Sequence, residues 1–146
     1  MSSPTVGLSL TVKDGNAALD FYTRAFNAKE LYRMPMPDGS VAHSEFMIGN
    51  SSIYLSGESP EWKAFALPEG GISSCLFPID SDDCDQLFAQ AVEAGGTAVT
   101  EPQDQFWGWR TGLILDPFGY RWNVRQFLEE VSPEEMMRRA QEAMKG

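Results

Sequence analysis

Between residues 6 and 12 apolar side chains alternate with small and polar ones, Leu8, Leu10 and Val12 against Gly7, Ser9 and Thr11. A two-residue period marks a strand with one buried face, here 6–12. Asp14 then offers a helix N-cap, and Ala18, Phe21, Tyr22 and Ala25 recur at three- and four-residue intervals through Phe26. That spacing lays one apolar stripe along a helix.

The same succession returns later in the chain. Cys75, Phe77 and Ile79 alternate within an apolar run from 72 to 79, which predicts a strand. Ser81 offers an N-cap, Asp82, Asp83 and Asp85 suit the positive end of a helix dipole, and Cys84, Leu87, Phe88, Ala91 and Val92 form the stripe. Gly95-Gly96 supplies a left-handed stop, so the helix is predicted over 82–94. An offset of 67 carries Asp14 to Ser81, Leu10 to Phe77 and Phe21 to Phe88. Farther along an offset of 69 carries Ile53 to Trp122 and Tyr54 to Asn123. Self-similarity of this kind is an internal duplication.

The remaining strands read 31–34, 42–48 and 52–55 in the first half and 98–100, 110–115 and 120–125 in the second. Asp116-Pro117-Phe118-Gly119 has the proline and glycine of a hairpin turn. Ser132-Pro133-Glu134-Glu135 is a capping box, predicting a C-terminal helix over 132–145 with Glu134/Arg138 and Glu135/Arg139 pairs. Its Met136, Ala140 and Met144 share a stripe that packs on its own domain or on a partner subunit. The fold class is α+β, two tandem β-α-β-β-β modules (5–57 and 71–128) joined by a segment at 58–70, in one domain over 1–146.

Bulk properties narrow the function. At 146 residues the chain can bury one core without disulfides. Its two cysteines, Cys75 and Cys84, read as reduced thiols. No window approaches the roughly 18 apolar residues of a membrane span, and the first ten residues lack a basic segment ahead of an apolar one, so a cytoplasmic protein is expected. With 21 acidic and 11 basic side chains the net charge is -10, which disfavours nucleic acid and anionic lipid as partners. A nucleophile elbow, a phosphate-binding glycine loop and a CxxC pair are all missing, against hydrolase, nucleotide and redox readings.

LTVKDGNAALDFYTRAFNAKE, HSEFMIGNSSIYLS, FWGWRTGLILDPFGYRWNV and VSPEEMMRRA, in this order and spacing, resemble the PhnB-like branch of the vicinal-oxygen-chelate superfamily (glyoxalase, bleomycin resistance, extradiol dioxygenase). The resemblance implies curved sheets forming a concave cup, and a homodimer. In metal-dependent members His and Glu ligands come from the first and last strands of each module. Counted onto this chain, those positions fall on Gly7, Tyr54, Ser74 and Asn123, which offer a divalent metal no imidazole, carboxylate or thiolate.

Strand parity separates a helix-facing set from a cup-facing set. Leu8/Leu10/Val12, Phe46/Ile48, Ile53/Leu55, Cys75/Phe77/Ile79, Leu113/Leu115 and Trp122/Val124 are expected to face the helices. Ser9, Thr11, His43, Glu45, Met47, Tyr54, Ser74, Leu76, Arg110, Ile114, Arg121, Asn123 and Arg125 then face the cup. His43 and Glu45 share one side of a strand, as a candidate metal pair or as a hydrogen-bonded polar pair. Arg110, Arg121 and Arg125 gather positive charge, either for an anionic ligand or for pairing with the protein's own acids at a sheet edge or interface. Phe106, Trp107 and Trp109 precede Arg110 as flat walls for a ligand or as dimer contacts, and Trp62 and Phe65 are placed to cap the same opening.

The sequence thus points to a protein that holds a small anionic molecule in the cup without a metal cofactor, on His43, Glu45, Tyr54, Trp107, Trp109, Arg110, Arg121, Asn123 and Arg125. The alternative is a divalent-metal lyase or dioxygenase using His43 and Glu45 with Tyr54 or a ligand from a partner subunit.

Overall fold

A computed structural model describes residues 4–145. Module one consists of β1 (Leu8–Thr11), α1 (Gly15–Phe26), β2 (Lys29–Pro35), β3 (Val41–Ile48) and β4 (Ser51–Ser56). Module two repeats it as β5 (Leu76–Asp80), α2 (Cys84–Ala94), β6 (Thr97–Asp104), β7 (Trp109–Leu115) and β8 (Arg121–Phe127), and α3 (Pro133–Lys145) follows. Each module forms one four-stranded sheet, ordered β1-β4-β3-β2 and β5-β8-β7-β6. The first strand lies parallel to the last, and the other neighbours are antiparallel. This is the predicted α+β arrangement of tandem β-α-β-β-β modules with a C-terminal helix. None of the helices among the described residues is long and apolar enough to cross a membrane.

Several boundaries move, for local reasons. Strand one is shorter than 6–12. The strand expected over 72–79 begins only at Leu76, leaving Cys75 outside it and exposed rather than packed on a helix. Gly71 donates to Pro68 O and Ser73 to Gly119 O, so turn and loop bonds occupy this stretch. The N-cap of α2 is Asp83, whose Oδ1 accepts from Gln86 N at 3.1 Å; the Ser81 hydroxyl instead accepts from Asp83 N, ahead of the helix. In α3, Glu135 pairs with both Arg138 and Arg139.

The duplication is more regular than the sequence suggested. One offset of 69 relates the N-caps Asp14 and Asp83, and the buried Gly15, Ala18, Leu19 and Tyr22 to the buried Cys84, Leu87, Phe88 and Ala91. It also relates Leu10, paired with Leu55, to Ile79, paired with Val124. The initial offset of 67 is therefore corrected to 69.

Both modules turn their apolar strand faces into one core that includes Leu10, Phe46, Leu55, Ile79, Ile114, Trp122 and Val124. Tyr22 of α1 sits at its centre, stacked on Phe46 of its own sheet at 5.4 Å and tilted against Trp122 of the other at 5.5 Å. The turn after β7 supplies the polar keystone. Asp116, 3% exposed, accepts through Oδ2 from the Tyr22 hydroxyl and from Trp122 Nε1 (2.9 Å), and through Oδ1 from Phe118 N and Tyr120 N. Four donors satisfy a buried carboxylate that would otherwise be costly. Burial still dominates, holding the Asp116 carboxyl above its ordinary range and the Tyr22 phenol well above its own.

Candidate functional site

On sheet one the face turned away from the helices follows from register. In β3, Ser44 and Phe46 are buried against the core, so His43, Glu45 and Met47 point the other way. Antiparallel pairing adds Tyr54 beside Glu45 from β4, and Met34 beside His43 and Tyr32 beside Glu45 from β2. The His43 ring is flanked by Tyr32 and by Tyr54, each at 5.8 Å between centroids. Glu45 accepts a hydrogen bond from the Ser52 hydroxyl. Partial desolvation, and then the Glu45 carboxylate, raise the Tyr32 phenol above its ordinary value. Tyr32 escaped the sequence reading because a register shift between Glu30 and Tyr32 breaks simple alternation in β2.

Sheet two requires a correction. Arg110 and Ile114 do not share a face with Arg121, Asn123 and Arg125. Ile114 is fully buried, and a side chain at Gly112 would strike Phe88 of α2, so Arg110, Gly112 and Ile114 face the helix side. The opposite set is Trp109, Thr111, Leu113 and Leu115, paired respectively with Phe127, Arg125, Asn123 and Arg121. All of residues 112–115 are uncharged and apolar or nearly so, which left alternation blind to the phase of β7. Arg110 reaches from the helix side to Asp85 of α2 and Asp104 of β6, each at 2.9 Å, and these bonds raise its already high pKa.

The two arginines that remain on the outer face are differently occupied. Arg121 donates from Nε to Ser73 O at 3.1 Å and from Nη2 to Ser74 O at 2.7 Å, pinning the chain that leads into β5. Arg125 donates from Nε to Asp80 Oδ1 at 2.5 Å, and its guanidinium lies 4.2 Å over the Trp109 ring. Asp80 and Trp109 thereby fix the plane of the fork while Nη1 and Nη2 of Arg125 stay free of protein partners among the described residues. Asn123 lies between the two arginines on the same face.

Trp107 stands in the turn before β7, edge-on to Phe106 at 4.9 Å. Gly108 O accepts from Leu128 N and Glu129 N, and Arg139 of α3 donates to Phe106 O at 3.0 Å while pairing with Glu129. Gly108 has φ +92, and a Cβ there would lie 2.2 Å from Glu129 O, so the turn accepts only glycine. Trp62 and Phe65, in the connecting segment, are exposed at 84% and 61%.

The metal positions suggested by the family resemblance also shift. With the offset at 69 the partner of Gly7 is Leu76 rather than Ser74, giving Gly7, Tyr54, Leu76 and Asn123. Two of the four have no donor atom in the side chain, one is a phenol and one an amide. Among the described residues no three His, Cys, Asp or Glu side chains are grouped to hold an ion. This donor set does not fit a divalent metal.

Cavities on the surface lie away from these residues. One of about 630 Å³ lies between α2, β6 and Arg110, and one of about 410 Å³ is bounded by 12–14, 66–72 and 115–119. Neither is lined by His43, Glu45, Tyr54, Arg121, Asn123 or Arg125. Among the described residues the sheets share no strand pairing, and β1 and β5 each have a neighbour on one side only.

Residues 5–124 match the family model described as the Glyoxalase/Bleomycin resistance protein/Dioxygenase superfamily. The uncharacterized protein Mb0911c of Mycobacterium bovis is 35% identical over 136 residues, covering 91% of this chain and 90% of that one. Among solved structures, TioX from Micromonospora sp. ML1 superposes with a TM-score of 0.66 at 22% identity, over 88% of this chain and 100% of that one. The fosfomycin resistance protein FosX from Listeria monocytogenes, complexed with Mn(II) and sulfate, gives 0.59 at 21% identity, over 94% and 99%. At these identities the two structures share the fold.

Proposed function

The chain belongs to the glyoxalase/bleomycin resistance protein/dioxygenase superfamily, and from that premise we propose that it binds a small anionic, part-aromatic molecule without a metal, on the outer face of module two. One observation carries the reading: Asp80 and Trp109 hold the Arg125 guanidinium in a set plane with both Nη groups free to meet a carboxylate or phosphonate. Asn123 adds amide donors beside it, and Arg121 adds positive charge while bracing the entry to β5. Leu113 and Phe127 give the same face an apolar surround. Arg110 is left out, because its charge is spent on Asp85 and Asp104. The quoted motifs support placing the protein in the PhnB-like branch.

The aromatic face of module one, Tyr32, His43 and Tyr54, is the second wall of the proposed cup. The open edges of β1 and β5, and the exposed Met136 and Met144 of α3, support a homodimer in which a second copy brings such a wall over Arg125. Sedimentation at micromolar concentration is expected to show a species of twice the 16.2 kDa chain mass; a 16.2 kDa species alone rejects the dimer.

Phenylphosphonate is a suitable probe of the anion site. Calorimetric titration in chelator-containing buffer should show saturable binding, unchanged by added Mn(II). Binding that appears only with Mn(II) would instead favour the metal-dependent lyase or dioxygenase built on His43 and Glu45.

A further inference from the structure

On the helix side of sheet two, α2 and β6 stand apart around the cavity of about 630 Å³, a volume in the range of small-molecule sites. Its floor is apolar, with Phe88, Ala89 and Val92 from α2 and Ala98 and Pro102 from β6. Two features of the chain open it. Register irregularities displace β6 between Ala98 and Gln103. Beneath them Gly112 lets Phe88 and Pro102 settle against β7, where a Cβ would lie 2.7 Å from one and 3.1 Å from the other.

The rim carries Asp85, Glu93, Glu101 and a single base, Arg110. Arg110 is shared between Asp85 and Asp104, so it neutralises nothing further. Glu93 and Glu101 have no ion-pair or side-chain hydrogen-bond partner among the described residues.

The duplicated half is an internal control. Between α1 and β2 the corresponding ground is bridged by Arg33, which donates to Asn16 at 2.6 Å and pairs with Glu30; Arg24 of α1 pairs with Asp20 at 2.9 Å and donates to Ala94 O at the end of α2. The offset of 69 sets Arg24 against Glu93, so the position that is cationic and paired in module one is anionic and unpaired in module two.

We propose that the groove between α2 and β6 is a second binding site, for small amphiphilic cations. The apolar body of an aryl or alkyl ammonium lies on Phe88, Val92 and Pro102, and its head group meets the carboxylates of Glu93 and Glu101. An acidic rim over an apolar floor attracts a cation and repels an anion of the same shape. The site is independent of the outer-face arginines and of what they bind.

The test compares 4-phenylbutyltrimethylammonium with neutral 4-phenylbutanol and anionic 4-phenylbutyrate, titrated into the whole protein and followed by amide NMR. The cation should saturate shifts confined to Ala89, Val92, Glu93, Ala98 and Glu101. The alcohol should bind about three- to tenfold more weakly, and the anion should leave these amides unmoved. Glu93→Gln with Glu101→Gln should bring the cation down to the affinity of the alcohol. Val92→Arg, exposed and tolerant of a long side chain, should abolish both responses without unfolding α2. Equal binding of cation and anion, an unchanged affinity in the double glutamine variant, or cation-induced shifts elsewhere would overturn the proposal.

Discussion

Module one and module two share a plan, yet their outer sheet faces carry opposite chemistry. On module one the face is aromatic with one carboxylate, His43 between Tyr32 and Tyr54 above Glu45. On module two it is basic, with Arg125 stacked on Trp109 and Arg121 beside Asn123. The helix-facing positions, by contrast, correspond at a constant offset along the first strand, the helix and the last strand of each module. Packing against a shared core constrains one face of each strand, and the other face is free to diverge. Binding chemistry is therefore to be sought where the modules differ.

The difference extends to the turns. Between β3 and β4 the chain reverses at Gly49-Asn50, whereas between β7 and β8 it makes the longer Asp116–Tyr120 turn, which sends a carboxylate into the other module. Of the substitutions considered, Asp116→Ala should have the largest effect on stability. It strands the Tyr22 hydroxyl and the Trp122 indole in the core and frees two amides, costing on the order of 3 kcal/mol in urea unfolding. A loss below about 1 kcal/mol would mean that the Asp116 bonds contribute little to joining the modules.

The contrast between the faces is sharpened by truncating one side chain on each. Arg125→Ala should weaken phenylphosphonate roughly ten- to a hundredfold, since charge-assisted bonds contribute about 1.5 to 3 kcal/mol, with little change in melting temperature. His43→Ala, which removes only an aromatic neighbour, should weaken it by about threefold. If His43→Ala proves the more damaging, the roles assigned to the faces are reversed. Arg110→Ala, on the helix side, should leave phenylphosphonate affinity unchanged; a loss like that of Arg125→Ala would return Arg110 to the anion site.

Much of this was legible in the sequence. The duplication, the order of elements and the helix-facing residues of β1, β3, β4 and β8 follow from periodicity, because core packing writes itself as alternation. The phase of β7 does not: Gly112, Leu113, Ile114 and Leu115 look alike, and only pairing with β8 decides that Ile114 packs inward and Leu113 outward. Nor was the partnership of Arg125 with Asp80 and Trp109 visible, since it depends on the pairing that sets side chains of β5, β7 and β8 side by side. Asp116 read as a turn residue and is also a core acceptor for another module.

The smallest expected effect lies in α3. Arg138 and Arg139 hold the Glu135 carboxyl at about 2, below its ordinary value of 4.5. The folded form thus favours the charged carboxylate, so the support it gives α3 is complete above about pH 4.5 and is lost as pH falls through about 2. Helix signals from α3 should fray in that window in the wild type and not in Glu135→Gln, whose helix should already be looser at neutral pH. Coincident acid profiles for the two proteins would contradict this.

Everything proposed for the arginine face depends on the anion site lying on the outer side of module two. Titration of isotope-labelled protein with phenylphosphonate, followed through side-chain NMR, tests this directly. The predicted result is saturable shifts of the Arg125 guanidinium, the Asn123 amide and the Trp109 indole N–H, with the Arg110 guanidinium unmoved. Shifts centred on Arg110 and Asp85, or saturable binding that leaves Arg125, Asn123 and Trp109 unchanged, would contradict it.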